Sequence, residues 1–138
     1  MATQTPTPPR TYQYADVDSL EGADKVGSKQ CVALVQIKAG APVSTAWREG
    51  TAVRGQTTLA RGTAIATFVN GRYPNQAHGN HAALYMGQDA TGITVMDQWT
   101  SDKTKPTISA RHLSFLGKDK HGNYINPSNN ADAFSVIN

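Results

Sequence analysis

Cys31 is the only cysteine in the 138-residue chain, in the run SKQCVALVQ. It follows polar residues at the start of an expected helix, where unpaired backbone N–H groups and the helix dipole favour an anion. A thiolate there is stabilised and its pKa lowered, which is how a reactive cysteine is made. Two readings of Cys31 are open on position alone, a nucleophile and a small buried apolar residue. A nucleophilic thiol needs a base, usually histidine, and a third group to orient that base.

Four histidines are available. His81 opens a β-rich run directly after GN, with small residues behind it, and a strand end holds an imidazole rigidly. His78 lies in the preceding polar loop, His112 reads as a solvated strand position, and His121 lies in a turn. The orienting group is expected on the next strand, where VMDQW offers Asp97 and Gln98. Adjacent strand residues face opposite sides, so only one of them can face His81. Asp97 shares parity with Ile93, Val95 and Trp99, an apolar face on which a carboxylate needs a partner. A closing pair of Gly87 with Gly92 would set Gln98 opposite His81, and one extra turn residue would set Asp97 there. The face pattern and the ability of a carboxylate to support an imidazolium favour Asp97.

These groups must be held by ordinary elements. Hydrophobic residues make up 38% and charged residues 17%, a globular composition in a length that suits one domain with a core. Residues 1–10, rich in Thr and Pro, read as a flexible lead-in, and 11–138 as a single catalytic domain. A helix is expected over Lys29–Ala39, with Ser28 as N-cap and Gly40 and Pro42 as stop signals, burying Val32, Leu34, Val35 and Ile37. Residues 42–62 read as a helical turn and then loop. Strands are expected within 63–69, 81–87, 92–99, 107–115 and 132–137, the second and third forming a hairpin. One helix followed by antiparallel strands predicts an α+β fold.

Several function classes are excluded or disfavoured. No apolar run approaches the ~20 residues of a membrane helix, so no membrane insertion is expected. The N-terminus has no apolar core of a standard secretory signal. The net charge of +3 is spread over scattered lysines and arginines, which argues against a nucleic-acid partner. One cysteine forms no internal disulfide and no cysteine-based zinc site, and no metal or cofactor is expected.

The order of these parts resembles the papain-fold bacterial cell-wall hydrolases, the cysteine-histidine-dependent amidohydrolase/peptidase (CHAP) family and its NlpC-type relatives. The matching pieces are KQCVALVQ, LARGTAIATF, GNHAALYMG and GITVMDQW, over roughly residues 22 to 100. The resemblance implies a helix bearing the cysteine packed on an antiparallel sheet, with Cys31 as nucleophile, His81 as base and Asp97 where the family commonly has Glu. Gln30 stands where CHAP domains often carry Gln, which implies help in an oxyanion hole. The family's Asn two residues after the acid falls on Trp99 here, a departure that keeps Gln98 open as an alternative orienter. The implied reaction is cleavage of an amide bond in a peptidoglycan peptide stem. Arg72 and Tyr73, with Trp99, are then candidate substrate contacts, against the plainer reading of 70–80 as a solvated loop. The small size and the ending NNADAFSVIN also resemble amidase effectors delivered by type VI secretion into the periplasm of a target bacterium, with an immunity protein as inhibitory partner. Two other readings stand beside this one: a Cys–His protease or deamidase toxin acting on a protein, and a non-catalytic wall- or partner-binding module on a degenerate papain-like scaffold.

Overall fold

The computed structural model describes residues 10–101 and 103–138. The expected lead-in falls almost wholly on residues 1–9, outside the described residues. One helix, α1 (Cys31–Ala39), packs on an antiparallel sheet of six strands. These are β1 (Glu49–Ala52), β2 (Ala64–Thr67), β3 (Ala82–Gln88), β4 (Gly92–Asp97), β5 (Ser109–Ser114) and β6 (Phe134–Ile137). Their spatial order is β1-β6-β2-β3-β4-β5, so the last strand inserts between the first two. This is the α+β architecture expected from one apolar helix and a run of strands. No helix among the described residues is long and apolar enough to cross a membrane.

Side-chain alternation divides the sheet into two packed faces. Ala64, Ala66, Ala82, Leu84 and Met96 face α1 and meet Leu34, Val35 and the fully buried Trp47. Ile65, Ala83, Tyr85, Ile93 and Val95 point the other way and pack against Leu113, Val53 and Phe134. The alanines on the α1 side let the helix lie close to the centre of the sheet. Both faces are buried, so a one-residue slip in register would exchange two well-packed surfaces and is strongly disfavoured.

The structure corrects the helix start. The N-cap is Gln30, not Ser28, and Cys31 is the first helical residue. Lys29 lies at φ +70°, a left-handed conformation that cannot continue an α-helix upstream. What holds this turn is tertiary. Gln98, fully buried at the end of β4, accepts from Val26 N (2.9 Å) and donates to Val26 O (3.1 Å) and Gln30 O (2.8 Å). Gly40 closes the helix in the left-handed conformation at φ +78°, as its position predicts. Ile37 is not buried; it is 56% exposed, with its Cδ1 over the backbone of Gly27.

Residues 42–62 hold the expected helical turn, Ser44–Ala46, but also β1, where only loop was expected. Glu-Gly-Thr-Ala has no apolar alternation because β1 is an exposed edge strand. It pairs with β6, more than 80 residues away in sequence. The hairpin register also departs from both simple counts. Gln88 pairs with Ile93 and Gly87 with Thr94, but Tyr85 with Val95 and Leu84 with Met96, because a bulge adds one residue to β3 between Tyr85 and Gly87. Continued outward, the register sets Ala83 opposite Asp97, so Asp97 and His81 share a face on a diagonal, and Gln98 points to the opposite face.

Replacing Gln98 with Ala should lower unfolding free energy by about 2–4 kcal/mol, since buried partners lose their bonds. It should also slow alkylation of Cys31 in the folded protein. Urea denaturation and iodoacetamide kinetics read the two effects. Unchanged stability would mean that the Val26–Gln30 turn holds itself.

Candidate active site

Three elements converge at one end of the sheet. The N-terminus of α1 brings Cys31, the start of β3 brings His81, and the end of β4 brings Asp97. Asp97 is fully buried and His81 is 6% exposed. His81 Nε2 lies 2.8 Å from Asp97 Oδ2, leaving Nδ1 as the ring nitrogen for Cys31. The His81 backbone N–H donates to Thr67 Oγ1 (3.0 Å), tying the histidine to β2. Its ring lies edge-on to Phe134 and Trp99 at 6.4 and 6.2 Å between centroids.

Asp97 is the centre of a charge cluster that sequence reasoning did not anticipate. Arg111 Nε donates to its Oδ2 at 2.7 Å. Lys105 Nζ lies 2.7 Å from Oδ1, an ion pair whose angle is poor for a hydrogen bond, and also donates to Ser109 O (2.9 Å). Lys105, in the connection between β4 and β5, is only 3% exposed. For Arg111 a signal existed. On β5, residues 109, 111 and 113 face inward, and Asp97 pairs with Ser109, so Arg111 is diagonal to Asp97. Finding it needed the β4–β5 register.

Burial opposes charge on all three groups, and their mutual contacts outweigh it. Burial alone would raise the Cys31 thiol. The hydrogen bond and charge of His81, the Ala82 backbone N–H and the Tyr73 hydroxyl together bring it below its ordinary value. Burial would lower His81, but the Asp97 hydrogen bond and the partnership with Cys31 raise it to about 9. Burial would raise Asp97, but His81, Arg111 and Lys105 pull it down to about 2. The combination favours a thiolate–imidazolium pair backed by a carboxylate. The first-turn position adds the helix dipole to this effect.

The other expected site residues divide. Tyr73 is not a loop residue facing solvent. It is 8% exposed, its ring tilted against Trp47 with centroids 4.9 Å apart, and its hydroxyl 3.7 Å from Cys31 Sγ. Burial and the adjacent Cys31 push its phenol well above the usual range, so it stays a proton donor. Arg72 is exposed, lies outside the cleft and reaches back toward Thr45 O at 3.5 Å. Gln98 is not beside His81; it braces the turn before Cys31. Gln30 and Trp99 line a cleft of about 400 Å³ together with Cys31, Tyr73, Asn80 and His81. Asn80, also missed, interacts with the Tyr73 hydroxyl. Of the remaining histidines, His78 borders the cleft's second lobe, whereas His112 and His121 line no part of it. Among the described residues no group of three or more His, Cys, Asp or Glu side chains gathers to hold a metal ion.

Comparison with known proteins agrees with this arrangement of helix and sheet. The chain is 45% identical over 130 residues to the type VI secretion amidase effector 2 protein of Salmonella typhi, covering 91% of this chain and 98% of that one. It is 34% identical over 120 residues to domesticated amidase effector 2 of Ixodes scapularis, covering 84% of this chain and 73% of the relative. A solved structure of type 6 secretion amidase effector 2 (Tae2) superposes with a TM-score of 0.85 at 45% identity, covering 91% of this chain and 93% of that one. The family model described as domesticated amidase effector 2 matches residues 8–137, well beyond the stretch that carried the cell-wall hydrolase resemblance. This chain belongs to the domesticated amidase effector 2 family.

Proposed function

We propose that the protein is an antibacterial amidase effector that cleaves an amide bond in the peptide stem of peptidoglycan by thiol catalysis, with residues 11–138 acting as one catalytic domain. The observation that carries this reading is the Cys31–His81–Asp97 line at the edge of a polar cleft, in a chain whose relatives are named amidase effectors. The Cys31 thiolate attacks the amide carbonyl and forms a tetrahedral oxyanion. The C–N bond then breaks and His81 gives its proton to the departing amine. Water attacks the thioester, passes a proton to His81, and releases the acid as the thiolate returns. The Cys31 backbone N–H and the Gln30 side chain are the candidate donors to the oxyanion. The Tyr73 hydroxyl, 3.7 Å from the sulfur, is a third donor that need not move far to reach it. Asp97 keeps the ring aligned and its charge stabilises the imidazolium.

Digestion of purified peptidoglycan, followed by mass spectrometry, should yield fragments differing by hydrolysis of one stem amide. Cys31→Ala and His81→Ala should each abolish the products while leaving the circular dichroism unchanged, because nucleophile and base act as a unit. Products from a folded Cys31→Ala protein would sink the thiol mechanism.

The profile of kcat/KM against pH should be a bell. Its acid limb lies below the ordinary thiol pKa, where Cys31 is protonated, and its alkaline limb lies near 9, where His81 loses the proton it must donate. Asp97→Asn removes a carboxylate that raises His81, so the alkaline limb moves to lower pH. It should also cut kcat by about 100- to 10,000-fold with little change in KM. An alkaline limb that stays in place in the variant would separate Asp97 from His81.

The proposal extends to delivery: a type VI apparatus carries the protein into a target cell's periplasm, and an immunity protein guards the producer. Expression in a Gram-negative host should be toxic with an added periplasmic signal and harmless without one. Equal Cys31-dependent toxicity from the cytosol would favour a protein-directed toxin.

A further inference from the structure

The cleft does not end at the thiol. Past His81 and Trp99, which border both parts, a second lobe of about 510 Å³ opens toward Arg111, His78, Asn126, Ser128 and Asn129. Among the described residues no aspartate or glutamate lines either lobe. Asp97, which bonds Arg111 at the lobe, is fully buried and already paired with His81, Lys105 and Arg111. With Cys31 as thiolate and His81 as imidazolium, three cations stand against two anions, leaving one positive charge in excess. A partly buried excess charge is weakly screened and seeks an anion.

Arg111 is the group that presents this charge to the cleft. Its Nε is taken by Asp97 and its Nη1 donates to Asn129 Oδ1 (2.8 Å). A guanidinium carries five N–H donors, so three have no hydrogen-bond partner among the described residues. Its Cζ lies 4.9 Å from the Trp99 ring centre and the side chain is 25% exposed, so the fork is held with one side reachable. A rigid guanidinium fork of this kind matches a carboxylate in two-point geometry.

We infer that the second lobe is a subsite for a free carboxylate of the substrate, on the residue adjoining the scissile amide, with Arg111 as its main ligand and Asn126 and Ser128 as neutral donors. The inference rests on the amidase reading and adds to it a substrate requirement, an acidic stem. Arg72, the arginine named from sequence as a candidate substrate contact, lines neither lobe, and Arg111 takes this part instead.

The test uses crosslinked muropeptides in two forms, untreated and with free carboxylates converted to carboxamides, with products followed by mass spectrometry. The protein should prefer the untreated form by about 10- to 100-fold in kcat/KM, mainly through KM, as expected for a bond to a charged group. Arg111→Gln slows both substrates because Asp97 loses a partner, but it should remove most of the preference, and a purely structural role would leave the ratio intact. Ser128→Asp, which leaves the ion cluster in place, should shrink the same ratio by raising KM for the untreated form. Equal kcat/KM for both forms, or a ratio unchanged in both folded variants, overturns the subsite while leaving the amidase reading standing. Cleavage of neither form by the intact protein overturns the amidase reading, and the subsite with it.

Discussion

A carboxylate with no exposure to water stands at the centre of this site. Isolated, the Asp97 charge would be costly to bury, and it would take up a proton instead. It stays ionised because three cations from three places in the chain close on it: His81 at the start of β3, Lys105 in the β4–β5 connection and Arg111 on β5. The buried His81 and Lys105 and the partly buried Arg111 are in turn tolerated in their positions because Asp97 is there. Removing the Asp97 carboxylate is expected to cost about 3–5 kcal/mol, since uncompensated cations are left behind. The cluster is therefore a structural clamp across strand ends as well as the base of a catalytic line.

Its reach extends to the thiol. With Asp97 ionised, the His81 proton is held up to about 9, and a protonated His81 lowers the thiol beside it. The same couplings set the response of stability to pH. The raised His81 value contributes stability that is complete below the unfolded histidine value of about 6.5 and lost as pH rises through about 9. The depressed Asp97 value contributes stability present above about 3.9 and lost as pH falls through about 2.

The end of β4 serves the site in two directions at once. Because consecutive strand residues face opposite sides, Asp97 reaches His81 while Gln98 reaches through the other face to the turn before Cys31. Both base and nucleophile are thus referenced to one rigid strand end, and their separation is insulated from motions of the loops. The cleft wall is built from connecting segments, the 75–80 loop on one side and the 126–129 turn on the other. That division, with chemistry on regular elements and recognition on loops, is the usual one for enzymes on a stable scaffold.

What could be read from the amino-acid order was whatever depends on near neighbours. The stop at Gly40, the strands around 64–67, 82–88 and 92–97, and the candidacy of Cys31 and His81 follow from caps, β-rich runs and residue chemistry. The face pattern along one strand, together with the chemistry of a carboxylate, favoured Asp97 over Gln98, because the pleat is a local property. The fold decided the rest. β1 is unreadable in Glu-Gly-Thr-Ala because its strand character comes from β6, at the far end of the chain. The bulge before Gly87 reset the hairpin count, and the helix N-cap falls at Gln30 instead of Ser28, where Gln98 bonds a turn 68 to 72 residues away. Lys105 and Arg111 look like ordinary solvated cations until the sheet sets them against Asp97. A charge cluster of that kind has no signature in sequence, since its energy depends on distances and burial that exist only once the strands have met.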